Sequence, residues 1–196
     1  MDLRLLTGPT SEPVLLAQAK AHLRIDDGNP DDALIAGMLS AAREAVENYT
    51  GRALMPQTWQ MRLPGFPADQ GAIRVPIAPL ISVSELRIVD TTGAEAVLSA
   101  SAYQVEAPTG PQAAPGRILP AAGTTWLATQ ADTLGAVRVT FQAGYANAAA
   151  VPAAIKSAVL LVLGELYEQR EASAVRAPAD IPAVSRLMAP YRVWWL

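Results

Sequence analysis

The side chains in this sequence that could take part in acid–base chemistry are mainly carboxylates. The sequence contains one histidine and no cysteine. An acid–base mechanism would have to use the carboxylates Asp26, Asp31, Glu44 and Glu47. None of them has a complementary group at a spacing that a helix or strand would bring together, and helix capping or solvated helix faces account for all four. We therefore predict no catalytic residue, and a small hydrolytic enzyme is the least favoured alternative.

A metal ion would need several ligands at a defined spacing, and the sequence does not supply them. His22 is the only histidine, so no second histidine is available to bind zinc beside it. The acidic stretch 26–32 resembles a cation loop, but it lacks the alternating oxygen ligands and the distant glutamate of an EF-hand. A turn that leads into a helix N-cap is the better interpretation. We expect neither a metal nor a cofactor.

Charge and hydropathy restrict the partners that the chain could bind. The 196 residues carry a net charge of −3 without a cluster of Lys and Arg, so tight binding to nucleic acid through its phosphates is not expected. The longest apolar run, residues 158–163, is far shorter than the ~20 residues of a membrane span. The N-terminal residues lack the pattern of an export signal. These features predict a soluble protein that does not enter a membrane.

The most completely specified element is a helix over residues 30–50. Asn29 suits the N-cap, Pro30 suits the first helical position, and Gly51 suits a left-handed stop. Between them, one apolar stripe is formed by Leu34, Ile35, Met38, Leu39, Ala42, Val46 and Tyr49. This pattern predicts an amphipathic helix that faces the core.

The remaining patterns complete an α+β fold. They predict a short helix at about residues 11–23 and a broad apolar helix at about 152–170. Between about 55 and 143, alternating segments punctuated by prolines predict a small, mostly antiparallel β unit. We therefore predict helices at both ends around this unit, one domain over residues 1–171 with the β unit inserted in it, and an extended C-terminal tail over 172–196.

Two groups of apolar residues exceed what a single core requires. The helix at 152–170 has a face wide enough to pack on two sides, and its candidates for a subunit interface are Ile155, Val159, Val162 and Leu166. The last six residues are Tyr191, Arg192, Val193, Trp194, Trp195 and Leu196. Because chain ends are usually polar and loose, such aromatic residues either fold back on their own domain or fill pockets on a partner. We favour the partner.

An ordered set of segments between residues 16 and 171 resembles the tailed-phage head-tail connector family. The set comprises Leu23-Arg24-Ile25-Asp26, Asp32-Ala33-Leu34-Ile35, Ala42-Arg43-Glu44, residues 47–54, Thr58-Trp59, Phe66-Pro67, residues 73–80, Val83, Gly93, Ala143-Gly144-Tyr145, Val151-Pro152 and residues 166–171. The Tyr-Thr-Gly-Arg sequence that ends the helix at 30–50 and the proline that opens the last long helix are the strongest members. None of the segments is a catalytic signature.

The resemblance implies a structural virion protein. Members of the family form a ring beneath the portal, so the chain would be an adaptor between portal and tail, in about twelve copies that line the DNA conduit. Its partners would be the portal protein, a tail-side connector or stopper protein and other copies of itself, while DNA passes without specific binding. Residues 191–196 would dock on the portal. The location would be the virion of a phage-like particle such as a gene transfer agent, assembled in the bacterial cytoplasm.

A tail-side completion or stopper protein is the main alternative to a portal adaptor. Both are ring-forming parts of the same vertex, and the number of copies separates them. A ring with the same number of subunits as the portal favours the adaptor, whereas a hexameric ring favours a tail-side part. In either position a mildly acidic lumen would repel phosphate weakly, so that DNA could pass without sticking.

Overall fold

A computed structural model of the chain describes residues 1–26, 31–169 and 181–194. Contacts divide it into a β unit, formed by Met1–Pro9 and Pro56–Gly144, and a helical unit, formed by Thr10–Met55 and Tyr145–Leu196. The described part contains four α-helices and two antiparallel sheets, so the α+β class is confirmed. The predicted division at residue 171 stays a prediction. None of the described helices is long and apolar enough to cross a membrane.

The β unit contains eight described strands in two sheets. They are β1 (Asp2–Thr7), β2 (Gln57–Leu63), β3 (Ile73–Arg74), β4 (Leu80–Val89), β5 (Glu95–Val97), β6 (Tyr103–Glu106), β7 (Arg117–Pro120) and β8 (Val137–Ala143). The larger sheet has the order β1-β2-β8-β4-β5, and the smaller has the order β3-β7-β6. All pairings are antiparallel, which confirms the mostly antiparallel unit predicted between residues 55 and 143.

The larger sheet has one buried apolar face and one polar face. Along β8, Val137, Val139 and Phe141 are fully buried, while the residues between them are partly exposed. The neighbouring strands follow the same alternation, since Met61 and Leu86 lie opposite Val139 in β2 and β4 and are also fully buried. Because side chains alternate between the two faces of a strand, the polar positions of these strands share the opposite face.

The prediction of helices at both ends requires a correction, because a strand precedes the first helix. β1 pairs with β2, with Leu3 opposite Met61 and Leu5 opposite Trp59. The first helix, α1, is also shorter than residues 11–23 and spans Leu16–Leu23. The side chain of Glu12 is engaged elsewhere, since it accepts hydrogen bonds from Ser40 and Arg43. The segment 10–15 is thereby held by tertiary contacts outside the helix.

The helical unit contains α1, α2 (Asp32–Thr50), α3 (Ala153–Glu168) and α4 (Pro182–Met188). α2 ends at Gly51 in the left-handed conformation, as predicted, with φ of 68°. The predicted cap residues Asn29 and Pro30 lie outside the described residues, and the N-cap position is taken by Asp31. The predicted extended tail is helical in part, because α4 and a 3-10 turn at Ala189–Tyr191 occupy most of its described portion.

A buried arginine on α2 joins this helix to the segment before α1. Arg43 is 4% exposed, and it donates to Glu12 at 2.9 Å and to Glu47 one turn along the same helix. Burial alone would lower the pKa of Arg43, but the carboxylates of Glu47, Glu12 and Glu44 outweigh burial and raise it. Glu47 also accepts from the backbone amide of Leu54 at 2.7 Å. The cluster therefore holds three parts of the helical unit together.

Replacing Arg43 by methionine should destabilise the helical unit. The substitution keeps an apolar stem but leaves Glu12 and Glu47 without their cation, which we expect to lower the free energy of unfolding by about 2–3 kcal/mol. Urea unfolding followed by circular dichroism measures this loss. The matched control is Arg186→Met on the exposed side of α4, which should change stability by less than about 0.5 kcal/mol. Equal stability of the two variants would contradict a structural role for the cluster.

Candidate docking site at the C-terminal segment

The described end of the chain, Tyr191 to Trp194, lies against the C-terminal end of α2. The backbone amide of Val193 donates to the carbonyl of Thr50 at 2.8 Å, and Nε of Arg52 donates to the carbonyl of Tyr191. The last carbonyls of a helix have no partner within the helix, so an outside donor is favourable there. Residues far apart in sequence thus complete the end of α2.

Gly51 allows this close approach. A Cβ atom added at this position would lie 3.3 Å from Cβ of Val193, and the positive φ of 68° is itself disfavoured for residues with a side chain. The glycine therefore has two functions, since it ends α2 and leaves room for the C-terminal segment. The sequence signal predicted only the first of these functions.

Arg52 is the polar anchor of the segment. Its side chain is 4% exposed, and this burial lowers its pKa. Nearby Tyr145 and Tyr191 raise the pKa and so partly offset the effect of burial. Burial in turn raises the pKa of the Tyr145 hydroxyl, against the opposing effect of Arg52. The sequence interpretation gave Arg52 and Tyr145 no role of their own in the site. The available signal was their position directly after Gly51 and Gly144, within segments that carried the family resemblance.

The aromatic side chains of the segment are held but not enclosed. The guanidinium carbon of Arg192 lies 5.0 Å from the ring centre of Tyr49 and 4.4 Å from that of Trp194. Trp194 is nevertheless 67% exposed, and Tyr191 and Val193 are partly exposed. The backbone of the segment therefore folds back on its own helical unit, while the indole of Trp194 faces outward. Trp195 and Leu196 lie outside the described residues.

The predicted subunit-interface residues on α3 have a different environment. Ile155 and Val159 are fully buried and Val162 is 4% exposed, all within the core of the helical unit. Leu166 is partly buried and packs against the same core. The wide apolar face of α3 is explained within one subunit, because α1, α2 and α4 all contact this helix. The structure does not bring the four residues to a common surface, and their interface role stays a prediction.

The carboxylates and the histidine considered for chemistry do not converge on a site. Glu44 and Glu47 pair with Arg43, Asp31 occupies the N-cap of α2, and Asp26 and His22 are exposed. Within the described ranges, no group of three or more His, Cys, Asp or Glu side chains could hold a metal ion. Within these ranges, the carboxylates considered above and His22 do not form an acid–base pair with one another.

Comparisons with known proteins identify the relatives of this fold. Residues 14–107 match the family model described as Phage gp6-like head-tail connector protein. Curated protein sequences contain no match to the chain. Two solved structures contain chains that are similar over 100% of this chain and 97% of their own length. One lies in the neck of an empty gene transfer agent particle computed with C6 symmetry, with 26% identity and a TM-score of 0.80. The other lies in the virion of a native gene transfer agent particle, with 26% identity and a TM-score of 0.77. A chain in the neck of a native particle computed with C12 symmetry is similar over the same shares, with 25% identity and a TM-score of 0.75.

These matches confirm the resemblance drawn from the sequence. The family is defined by a structural part of the virion, so the prediction that the chain is not an enzyme is confirmed by its relatives. The structural similarity extends beyond residue 107 and includes α3 and the C-terminal segment, which the family model does not cover. Residues 14–107 of the chain are thus similar to Phage gp6-like head-tail connector proteins, and the full chain shares its fold with chains from the neck of gene transfer agent particles.

Proposed function

We propose that the chain is a head-tail connector in the neck of a phage-like gene transfer particle, where it forms a ring adaptor between the portal and the tail. The observation that carries this proposal is the match over the full chain to neck proteins, at 26% identity and a TM-score of 0.80. The match includes both units of the chain, so it does not rest on one common supersecondary motif. Both the family match and the structural relatives support a virion location.

The proposed ring contains twelve copies around the DNA conduit. One similar chain lies in a neck computed with C12 symmetry, which supports this number, and another lies in a neck computed with C6 symmetry, which keeps a six-fold tail-side completion or stopper protein as the alternative. A closed ring requires a heterologous interface, in which one surface of each copy meets a different surface of the next. Exposed parts of α3 beside Leu166 are one candidate surface, because Ile155, Val159 and Val162 are enclosed.

The proposed conduit passes DNA without binding a specific sequence. The net charge of −3 gives no general attraction for phosphate, and weak repulsion would let a duplex slide past the ring. The proposed protein partners are the portal on one side and a tail-side connector or stopper protein on the other. No membrane contact belongs to this function.

The C-terminal segment is the proposed contact with the portal, through Tyr191, Arg192, Val193 and Trp194 together with Trp195 and Leu196. The exposed indole of Trp194 supports this role, because its position is fixed by Arg192 and by the backbone of Val193 before a partner arrives. A preorganised aromatic side chain binds at a lower entropic cost than a loose one, and aromatic residues dominate the binding energy of many interfaces.

Substitution of Trp194 tests this contact. Trp194→Ala should leave the melting temperature of the purified chain unchanged, because the side chain is 67% exposed, and it should weaken binding to portal-bearing heads by about tenfold or more. The measurement is co-sedimentation of the chain with heads that lack tails. Leu15→Ala is the matched control, since Leu15 is an exposed apolar residue of the same unit at 65%. Equal binding of both variants would exclude Trp194 as a portal contact.

Two truncations separate the anchoring role of the segment from its docking role. Removal of residues 192–196 retains a Tyr191 oxygen for Arg52, whereas removal of residues 190–196 also deletes that acceptor. We expect the longer truncation to be less stable than the shorter one by about 1–3 kcal/mol, because the buried guanidinium of Arg52 loses one of its acceptors. Both should fail to join heads. Thermal unfolding and head binding are measured in parallel, and full head binding by the shorter truncation would reject the docking role.

A further inference from the structure

A row of charged side chains crosses the polar face of the five-stranded sheet. In the strand register, Asp2 of β1 lies opposite Arg62 of β2, Arg62 lies opposite Arg138 of β8, and Arg138 lies opposite Arg87 of β4. Side chains directly opposite each other in an antiparallel pair share a face, with Cβ atoms about 5 Å apart. Three arginines are therefore adjacent, which is unfavourable unless carboxylates lie between their charges.

Carboxylates neutralise one end of this row. Glu85 accepts from Arg87 at 2.7 Å, and Glu95 contacts Arg87 at 3.3 Å and Arg138 at 2.8 Å. The hydrogen bond and charge of Arg138 hold the pKa of Glu95 below its usual range, with a smaller contribution from Arg87. At the other end of the row, Asp2 pairs with Arg4 at 3.0 Å.

Arg62 remains without a counter-ion in the middle. Among residues 1–26, 31–169 and 181–194, none forms a hydrogen bond or ion pair with its side chain, and its Nε is enclosed without an acceptor. Its guanidinium packs against Gly135, where an added Cβ atom would lie 2.9 Å from Nε and 3.1 Å from Nη2. A partly buried arginine without an acceptor is unfavourable, so an outside anion at this position would be stabilising.

A groove leads to Arg62 from the surface. The groove is open, has a volume of about 420 Å³, and is lined by Arg62 and Arg4, by Asp2, and by the apolar residues Leu63, Pro64 and Leu134. Leu134 is 90% exposed at its rim. The lining therefore combines apolar surface with two arginines, of which Arg4 pairs with Asp2. This composition suits a carboxylate carried next to an apolar side chain.

The groove lies at an uncovered edge of the sheet. In the described residues, β1 is the terminal strand and pairs only with β2. Further along the same strand, Leu5 and Leu6 are 48% and 52% exposed. Edge strands with exposed apolar side chains are prone to pair with other chains, and proteins usually cover them in the assembled state. The edge and the groove together thus have the features of a surface that becomes covered.

We propose that this groove is the docking site for a carboxylate-bearing segment of an adjacent copy of the same chain, with its carboxylate bound by Arg62. The proposal rests on the ring of the proposed function and names one of its two contact surfaces. A nucleic acid is a poorer occupant, because the apolar rim of the groove and the net charge of −3 on the chain disfavour a polyphosphate. A second copy is a suitable source of the carboxylate, because each copy carries 18 Asp and Glu residues against 15 Lys and Arg residues. A neighbour in a closed ring is present in the same number and contacts the groove through a different surface.

Site-specific cross-linking in assembled particles tests the proposal. Leu134 is replaced by the photo-cross-linking amino acid p-benzoylphenylalanine, and the cross-linked peptides are identified by mass spectrometry. The expected product joins residue 134 to a second copy, at a peptide that contains Asp or Glu. Adding Arg62→Gln should reduce the yield of this product by about tenfold, because the charge pair is lost, while Arg62→Lys should retain more of it. The matched control is Arg117→Gln in the smaller sheet, where an exposed arginine pairs with Glu106 within the same subunit.

The outcomes distinguish this inference from the proposed function. A cross-link to DNA or to a different neck protein would overturn the inference, and so would a cross-link between copies whose yield is the same with Arg62→Gln and Arg117→Gln. In these cases the chain is still present in the neck, so its connector role stands. Absence of the chain from purified particles would instead reject the proposed function. Thermal unfolding of Arg62→Gln verifies that a lost cross-link reflects binding. The substitution should not lower the melting temperature, because it removes no hydrogen bond or ion pair within the described residues.

Discussion

The hydrogen bond between buried Arg52 and the carbonyl of Tyr191 is the contact on which the organisation of the helical unit depends. It connects the residue after the end of α2 to a residue 139 positions further along the chain. The two residues lie on either side of α3 in the sequence, so the bond joins the two ends of the helical unit. A buried guanidinium is costly without acceptors, which gives the C-terminal segment a defined position instead of a loose one. The exposed indole of Trp194 is held near this contact, because it packs against the guanidinium of Arg192. The same contact thereby stabilises the core and orients the residue proposed to bind a partner.

Features of the fold that are encoded locally could be predicted from the sequence. Gly51 ends α2 as expected, because the left-handed conformation is a property of the glycine itself. The alternation along β8 is also local, and it predicted the two faces of the sheet. β1 could not be predicted in this way, because Leu5 and Leu6 are adjacent apolar residues that break the alternation. Its strand conformation depends on pairing with β2, which lies more than fifty residues away in sequence.

The site was less predictable because its defining contacts are nonlocal. The width of the apolar face on α3 correctly indicated packing on more than one side, but α1, α2 and α4 of the same subunit provide that packing. Aromatic residues near the end of the chain indicated a contact surface, although nothing in their spacing indicated that Thr50 and Arg52 would hold their backbone. The isolation of Arg62 depends on strand register and on competing ion pairs. Arg62 lies between Asp2 and Arg138, but Asp2 pairs with Arg4 and Glu95 pairs with Arg138.

The two proposed contact surfaces differ in chemistry, and this difference suits a part that meets more than one neighbour. Trp194 presents an apolar ring whose binding would depend on buried area, and therefore little on ionic strength. Arg62 presents a charge whose binding would depend on a matching carboxylate, and charge matching determines orientation more than affinity. A copy that approached its neighbour in the wrong orientation would leave Arg62 unpaired, which penalises incorrect packing within the ring. The aromatic contact makes no such demand on charge, so affinity for the portal and selection of the correct neighbour can be set by different residues of one small chain.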